Sequence, residues 1–240
     1  MTGTGEVVLI LGSGPTVLRA RDWPKAWVDR IVAINNAWAV REDWDDLVFP
    51  EDFPEANMPP DPAEGRRLVG ADAFVPAQNR YGGFVFAGAT MAFTAAYWAL
   101  DALRPRVLAF MGCDMVYAPA GRTHFYGKGM PDPLRADISL RDLKAKSARL
   151  GMIAAAQGCA CVNLSDAASQ LVFPRAAPAD LRRMPPPPKR PGEVDALRSQ
   201  EAALGYDTPD GRHDATGAAY DRAALAALDT AWRRLFDATF

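Results

Sequence analysis

The chain carries two histidines, and only one stands among residues that suit chemistry. His124 lies in Arg122-Thr123-His124-Phe125-Tyr126-Gly127-Lys128-Gly129, inside a polar stretch, 117–137, that is too long for a routine connection. Imidazole is the side chain best matched to proton transfer near neutrality. Tyr117, Arg122, Tyr126 and Lys128 place hydroxyl and cationic donors around it, candidates to stabilise a phosphate. A second cluster, Gly12-Ser13-Gly14-Pro15-Thr16, follows an apolar run. There the glycines open the backbone, Pro15 suits a first helical position, and a helix start would offer N–H groups to a phosphate. Val17 stands where a dinucleotide fingerprint needs its third glycine, so a dinucleotide is not expected. Asn35 and Asn36 end a second apolar run, Gly112-Cys113-Asp114 ends a later one, and Gly88 opens an apolar helix. Asp114 reads as ordering its loop through backbone amides, with a ribose or a base as the other partner. His213, in Asp210-Gly211-Arg212-His213-Asp214, reads as solvated.

These clusters need elements to bring them together. Apolar runs predict strands at 7–11, 30–34, 47–49, 71–75, 106–111 and 159–164. Helical patterns cover 16–27 (interrupted near Pro24), 37–42, 87–103 and 139–157, the last stopped by Gly158. Residues 50–62, rich in proline and acid, read as loop. The alternation predicts an α/β fold: a Rossmann-like, doubly wound, mainly parallel sheet flanked by helices, with its site at the carboxyl ends of the strands. Residues 1–183 form that nucleotide-binding domain, 184–192 a proline-rich linker, and 193–240 a helical C-terminal arm with patterns at 193–204 and 221–236. The arm is expected to fold back on its own domain; an oligomer contact, a membrane or a partner is the other use for its apolar face.

Composition narrows the class. A length of 240 residues and an apolar fraction of 49% suit one globular core with appendages. The net charge of −2 provides no global field for nucleic acid. Cys113, Cys159 and Cys161 match no common zinc spacing and read as buried thiols in a reducing compartment. The first apolar run lacks a basic flank and stops at Gly12, unlike a signal peptide. The most apolar stretch, 84–103, contains Gly88 and Asp101 and reads as a core helix, so a cytoplasmic protein is expected. Asp43-Trp44-Asp45-Asp46 has the spelling of a metal-binding Asp-x-Asp but precedes a strand, which puts it at the wrong end of the sheet; it reads as a solvated turn. No metal site is expected.

The order of these motifs resembles the bacterial sialyltransferases of glycosyltransferase family 42 over roughly the first 175 residues. Gly12-Ser13-Gly14-Pro15-Thr16 is similar to that family's Gly-Asn-Gly-Pro-Ser turn, Asn35 to its cytidine-facing asparagine, and Gly88 to its Thr-Ser-Gly glycine. Gly112-Cys113-Asp114 resembles its Gly-Ile-Asp, Thr123-His124-Phe125-Tyr126-Gly127 its Ser-His-Tyr-Ile-Gly, and Asn163-Leu164-Ser165 its closing strand end. The resemblance implies a metal-independent, inverting transfer of a sugar from a CMP-activated donor to a glycan hydroxyl, with His124 as general base, no cofactor beyond the co-substrate, and a homo-oligomer. The chain departs from the pattern at Glu51, where the family has a nucleotide-contacting asparagine; Glu51-Asp52 is also the nearest substitute for the acidic element of the ATP enzymes described below. It also departs at Ala87, which replaces a serine, and at Phe84, which replaces an acceptor-assisting arginine. Two other readings share the opening turn. One is an ATP enzyme similar to the archaeal 6-hydroxymethylpterin pyrophosphokinases, using magnesium. The other is a catalytically degenerate nucleotide-binding protein acting through its arm.

Overall fold

The structure is a computed structural model that describes residues 5–60, 64–117, 122–127, 136–213 and 219–240. Six strands, β1 (Val7–Leu11), β2 (Arg30–Ile34), β3 (Asp46–Val48), β4 (Arg67–Val69), β5 (Val107–Met111) and β6 (Ala160–Asn163), form one parallel sheet in the order β4-β3-β2-β1-β5-β6. Every residue of β1 and β5 is buried, as continuous apolar strands at the centre of a covered sheet should be. Side chains alternate across β1: Val8 and Ile10 enter one core, Val7, Leu9 and Leu11 the other. The chain order reverses between β1 and β5, which opens a crevice at their carboxyl ends.

Helices α1 (Ala71–Arg80), α3 (Met91–Ala102) and α4 (Leu143–Ala156) cover the face of Val8 and Ile10, with the short α2 (Gly83–Ala87) between the first two. The opposite face is covered by 3-10 turns at Pro15–Ala20, Asn35–Val40 and Pro178–Arg183. The arm, α5 (Pro191–Ala203) and α6 (Arg222–Asp237), closes the first face. Trp232 and Phe236 of α6 and Val194 of α5 share a core with Val8 and Phe110. Two buried ion pairs fasten the arm to α4: Arg149 with Glu201, at 2.7 Å, and Lys146 with Asp229, at 3.1 Å. Arg149 also donates to the Tyr97 hydroxyl and to the Tyr81 carbonyl, and Trp232 Nε1 donates to Glu201. Among the described residues no helix is long and apolar enough to cross a membrane.

The α/β, parallel, Rossmann-like architecture with a C-terminal helical arm is as the sequence predicts. Local differences are instructive. Residues 71–75 are helix, not strand, and the fourth strand begins four residues earlier, at Arg67–Val69. A five-residue run with four apolar residues fits either a strand or a helix, but the buried set Phe74, Ala77 and Gln78 has helical spacing. The expected helix 87–103 is two helices, because Thr90 accepts from the Phe93 amide and starts α3 afresh. The expected helix 16–27 is two 3-10 turns, and 37–42 is another. Asp43-Trp44-Asp45-Asp46 is at the amino end of β3 as expected, but of the four only Asp43 is exposed. Asp46 is fully buried between Arg30 and Arg67, Asp45 accepts from the Ile31 amide and Lys25, and Trp44 lies in the core. This acid cluster ties the amino ends of three strands together.

Candidate active site

At the switch between β1 and β5 a cleft of about 770 Å³ opens. Its floor is made where the two strands end. A Cβ on Gly12 would meet the Gly112 carbonyl oxygen at 2.4 Å, and one on Gly14 would meet it at 2.7 Å. The Gly-x-Gly spacing therefore serves a close approach of two backbones, with φ at Gly14 an ordinary −62°. Gly112 itself has φ +73° and packs on Val17. The approach also uses two donors, since Gly12 N–H bonds Met111 and Gly14 N–H bonds Gly112. Only Ser13 and Thr16 of this bend retain an amide to offer a ligand. The expected helix dipole at this bend is absent too, because Pro15–Ala20 is a six-residue 3-10 turn. The α-helix whose N-terminus meets the cleft is α3, through Thr90, Met91 and Ala92.

Two buried acceptors are left open on this floor. Asp114, just past β5, accepts from the Thr16 hydroxyl through Oδ2 at 3.0 Å. Its Oδ1 is buried with no hydrogen-bond partner within the protein, and the residue is 8% exposed. Asn35, just past β2, has φ +50° and a buried Oδ1 likewise without a partner. A buried oxygen left unsatisfied costs about 1–3 kcal/mol, more for a charged group, so both positions are open to a donor from solvent or from a bound molecule.

His124 faces the same cleft. Its backbone pairs with Gly127 in both directions, and the Phe125 amide donates to the Ser13 carbonyl at 2.9 Å, which pins this turn to the first glycine bend. The ring stacks on Tyr126 with centroids 5.1 Å apart, approaches Tyr117 at 6.2 Å, and shares a 2.9 Å hydrogen bond between Nδ1 and the Thr123 hydroxyl. Burial pushes the imidazole pKa below its ordinary value, which favours the neutral ring.

Of the residues singled out in the sequence, Gly12, Ser13, Gly14, Pro15, Thr16, Asn35, Asp52, Gly112, Asp114, Tyr117, Arg122, Tyr126 and His124 line the cleft. Asn36, Gly88 and Glu51 do not. Asn36 is the second residue of the turn Asn35–Val40 beside it, the Gly88 carbonyl accepts from Gln78, and Glu51 turns to Arg212, 3.6 Å away. Lys128 lies outside the described residues. His213 is buried, not solvated: its Nε2 meets the Asp137 carboxylate at 2.8 Å. Lining residues that the sequence reading missed are Phe53 and Pro54, Thr90 to Ala92, and Ala167 and Ala168. Thr90 left a signal, a hydroxyl residue before an apolar helix. The alanines left none, since nothing but the return of the chain after β6 brings them there.

Among the described residues no group of three or more histidine, cysteine or acidic side chains is placed to hold a metal ion. The three cysteines are buried and form no disulfide. No protein-family model, curated protein or solved structure matches this chain.

Proposed function

We propose that the protein is an inverting glycosyltransferase that moves a sugar from a CMP-activated donor to a glycan hydroxyl without a metal. The observation that carries this reading is the neutral imidazole of His124 facing a floor with two unmet acceptors, Asn35 Oδ1 and Asp114 Oδ1. A nucleoside supplies the missing donors, as ribose hydroxyls or a base amine. Its phosphate would meet the N-terminus of α3, with Arg122, Tyr117 and Tyr126 on the facing wall. With Nδ1–H donating to the Thr123 hydroxyl oxygen, His124 Nε2 keeps its lone pair. The acceptor oxygen attacks the anomeric carbon, its proton passes to Nε2, and the bond from that carbon to the phosphate oxygen breaks, so that CMP leaves with the electron pair. Configuration inverts. Buried thiols without a disulfide fit a cytoplasmic setting for this reaction.

The test is His124→Ala. Nucleotide binding measured by calorimetry should persist, while transfer from a CMP-sugar should fall about 10²–10⁴-fold, the usual worth of general-base help. Transfer at the wild-type rate would remove His124 from the mechanism. Two carboxylates, Asp52 and Asp114, share the cleft with this histidine and favour a second reading, an ATP enzyme that uses magnesium. Thermal shifts with CMP and with ATP, each with and without magnesium, separate the two. Stabilisation by ATP that requires magnesium would select the second.

A further inference from the structure

The two open acceptors on the cleft floor differ in place and in kind. Asp114 accepts from the Thr16 hydroxyl through Oδ2, at 3.0 Å, while its Oδ1 is buried with no protein partner among the described residues. The loop is built to hold that oxygen where it is. Met115, the next residue, has φ +53°, a left-handed conformation that is costly for a bulky side chain, and its side chain is buried in the core of Val8 and Ile10. The Gln170 amide donates to the Asp114 carbonyl at 2.9 Å. Asn35 Oδ1, the other open acceptor, stands past the end of β2, and β1 runs between β2 and β5. Neighbouring strands are about 4.8 Å apart, so the two positions are separated by about 10 Å. The two hydroxyls of one ribose are adjacent and cannot serve both ends. Asn35 offers an amide, a donor beside an acceptor, which matches the edge of a base. Asp114 offers acceptors alone, which match hydroxyls. Tyr117 and Arg122, on the phosphate side of the cleft, come from the same stretch past β5 as Asp114, and in a nucleotide the ribose is what adjoins the phosphate.

We infer that Asp114 Oδ1 takes a hydroxyl of the nucleotide's ribose, the 2′ or the 3′, and so makes the cleft selective for ribonucleotides over their deoxy counterparts. The nucleoside then lies across the end of β1, over the Gly12-Ser13-Gly14 bend, with its base toward Asn35. The inference rests on the reading of the cleft as a nucleotide site; it needs neither the proposed role of His124 nor transfer. Asp114 is a specificity residue here and takes no part in moving a proton.

Calorimetry of the full chain with CMP, 2′-deoxy-CMP and 3′-deoxy-CMP tests this. The wild type should bind at least one deoxy compound about 10–100-fold more weakly than CMP, the scale of one hydrogen bond to a charged group. In Asp114→Ala the three should bind alike, within about twofold, so that the preference for the hydroxyl disappears with the carboxylate. Asp114→Asn keeps the size and loses the charge; it should narrow the gap, and it provides the same comparison should the alanine variant not fold. AMP and its two deoxy forms repeat the test should the cleft prefer adenine, since the argument does not depend on the base. Equal binding of all three compounds by the wild type overturns the inference and leaves Oδ1 to water. A preference that survives in Asp114→Ala overturns it too, because the sugar is then read elsewhere. In both cases nucleotide binding itself stands. Failure of CMP and AMP alike to bind overturns the nucleotide reading of the cleft, and the inference with it.

Discussion

At the scale of single residues, the cleft divides into groups that are satisfied and groups that are waiting. Ser13 has its hydroxyl on the Ile34 carbonyl, and Thr16 has its own on Asp114. Asn35 Oδ1 and Asp114 Oδ1 have no protein partner among the described residues. Asp114→Ala should therefore weaken nucleotide binding about 10–100-fold, the worth of a hydrogen bond to a charged group, with calorimetry as the measure. Unchanged affinity would mean that Asp114 serves its loop only. For His124 the sign of the pH dependence follows from its burial. A base must be neutral, and burial lowers the pKa from the ordinary 6.5, so activity should be flat around neutrality and fall on the acid side of that value. A rate profile with its acid limb centred above pH 6.5 would contradict this. The residue types at both places were legible in the sequence, because imidazoles, amides and carboxylates after apolar strands stand out. Their states of satisfaction were not, since a hydrogen-bond partner 98 positions away, as with Thr16 and Asp114, leaves no local mark.

At the scale of elements, the strands that form the floor were legible in full, and what surrounds them only in part. Residues 7–11 and 31–34 are continuous apolar runs closed by glycine or asparagine, and a doubly covered parallel strand is the natural home for such a run. The 71–75 segment was misread because five residues fit either period until the partner surface selects one. The arm was legible as two helices, but the clamps that hold it to α4 were not. Breaking one of them should be expensive. Arg149→Met leaves the Glu201 carboxylate buried without its guanidinium and should cost about 3–5 kcal/mol in urea denaturation. Adding Glu201→Leu should recover most of the loss, because the buried charge then disappears. A single variant as stable as the wild type would show the pair to be dispensable.

At the scale of the whole molecule, the arm is a layer of the fold and not an appendage. Trp232 and Phe236 fill the same core as the central strands, and the 184–192 segment leads straight into α5, which starts at Pro191. Removing residues 191–240 should abolish folding: it uncovers that core, at about 3–5 kcal/mol for each large aromatic lost, and strips Lys146 and Arg149 of their acids. Circular dichroism and solubility check this; a cooperative melt within a few degrees of the full chain would refute it. Apolar periodicity was enough to specify a parallel α/β sheet with its crevice past the strand ends, because burial of each strand and helix face is a local demand written into neighbouring residues. The meeting of His124, Asn35, Asp114 and the start of α3 in one cleft, and of His213 with Asp137, came from packing. Those contacts depend on which surfaces close over the sheet, and that choice is made by the chain as a whole.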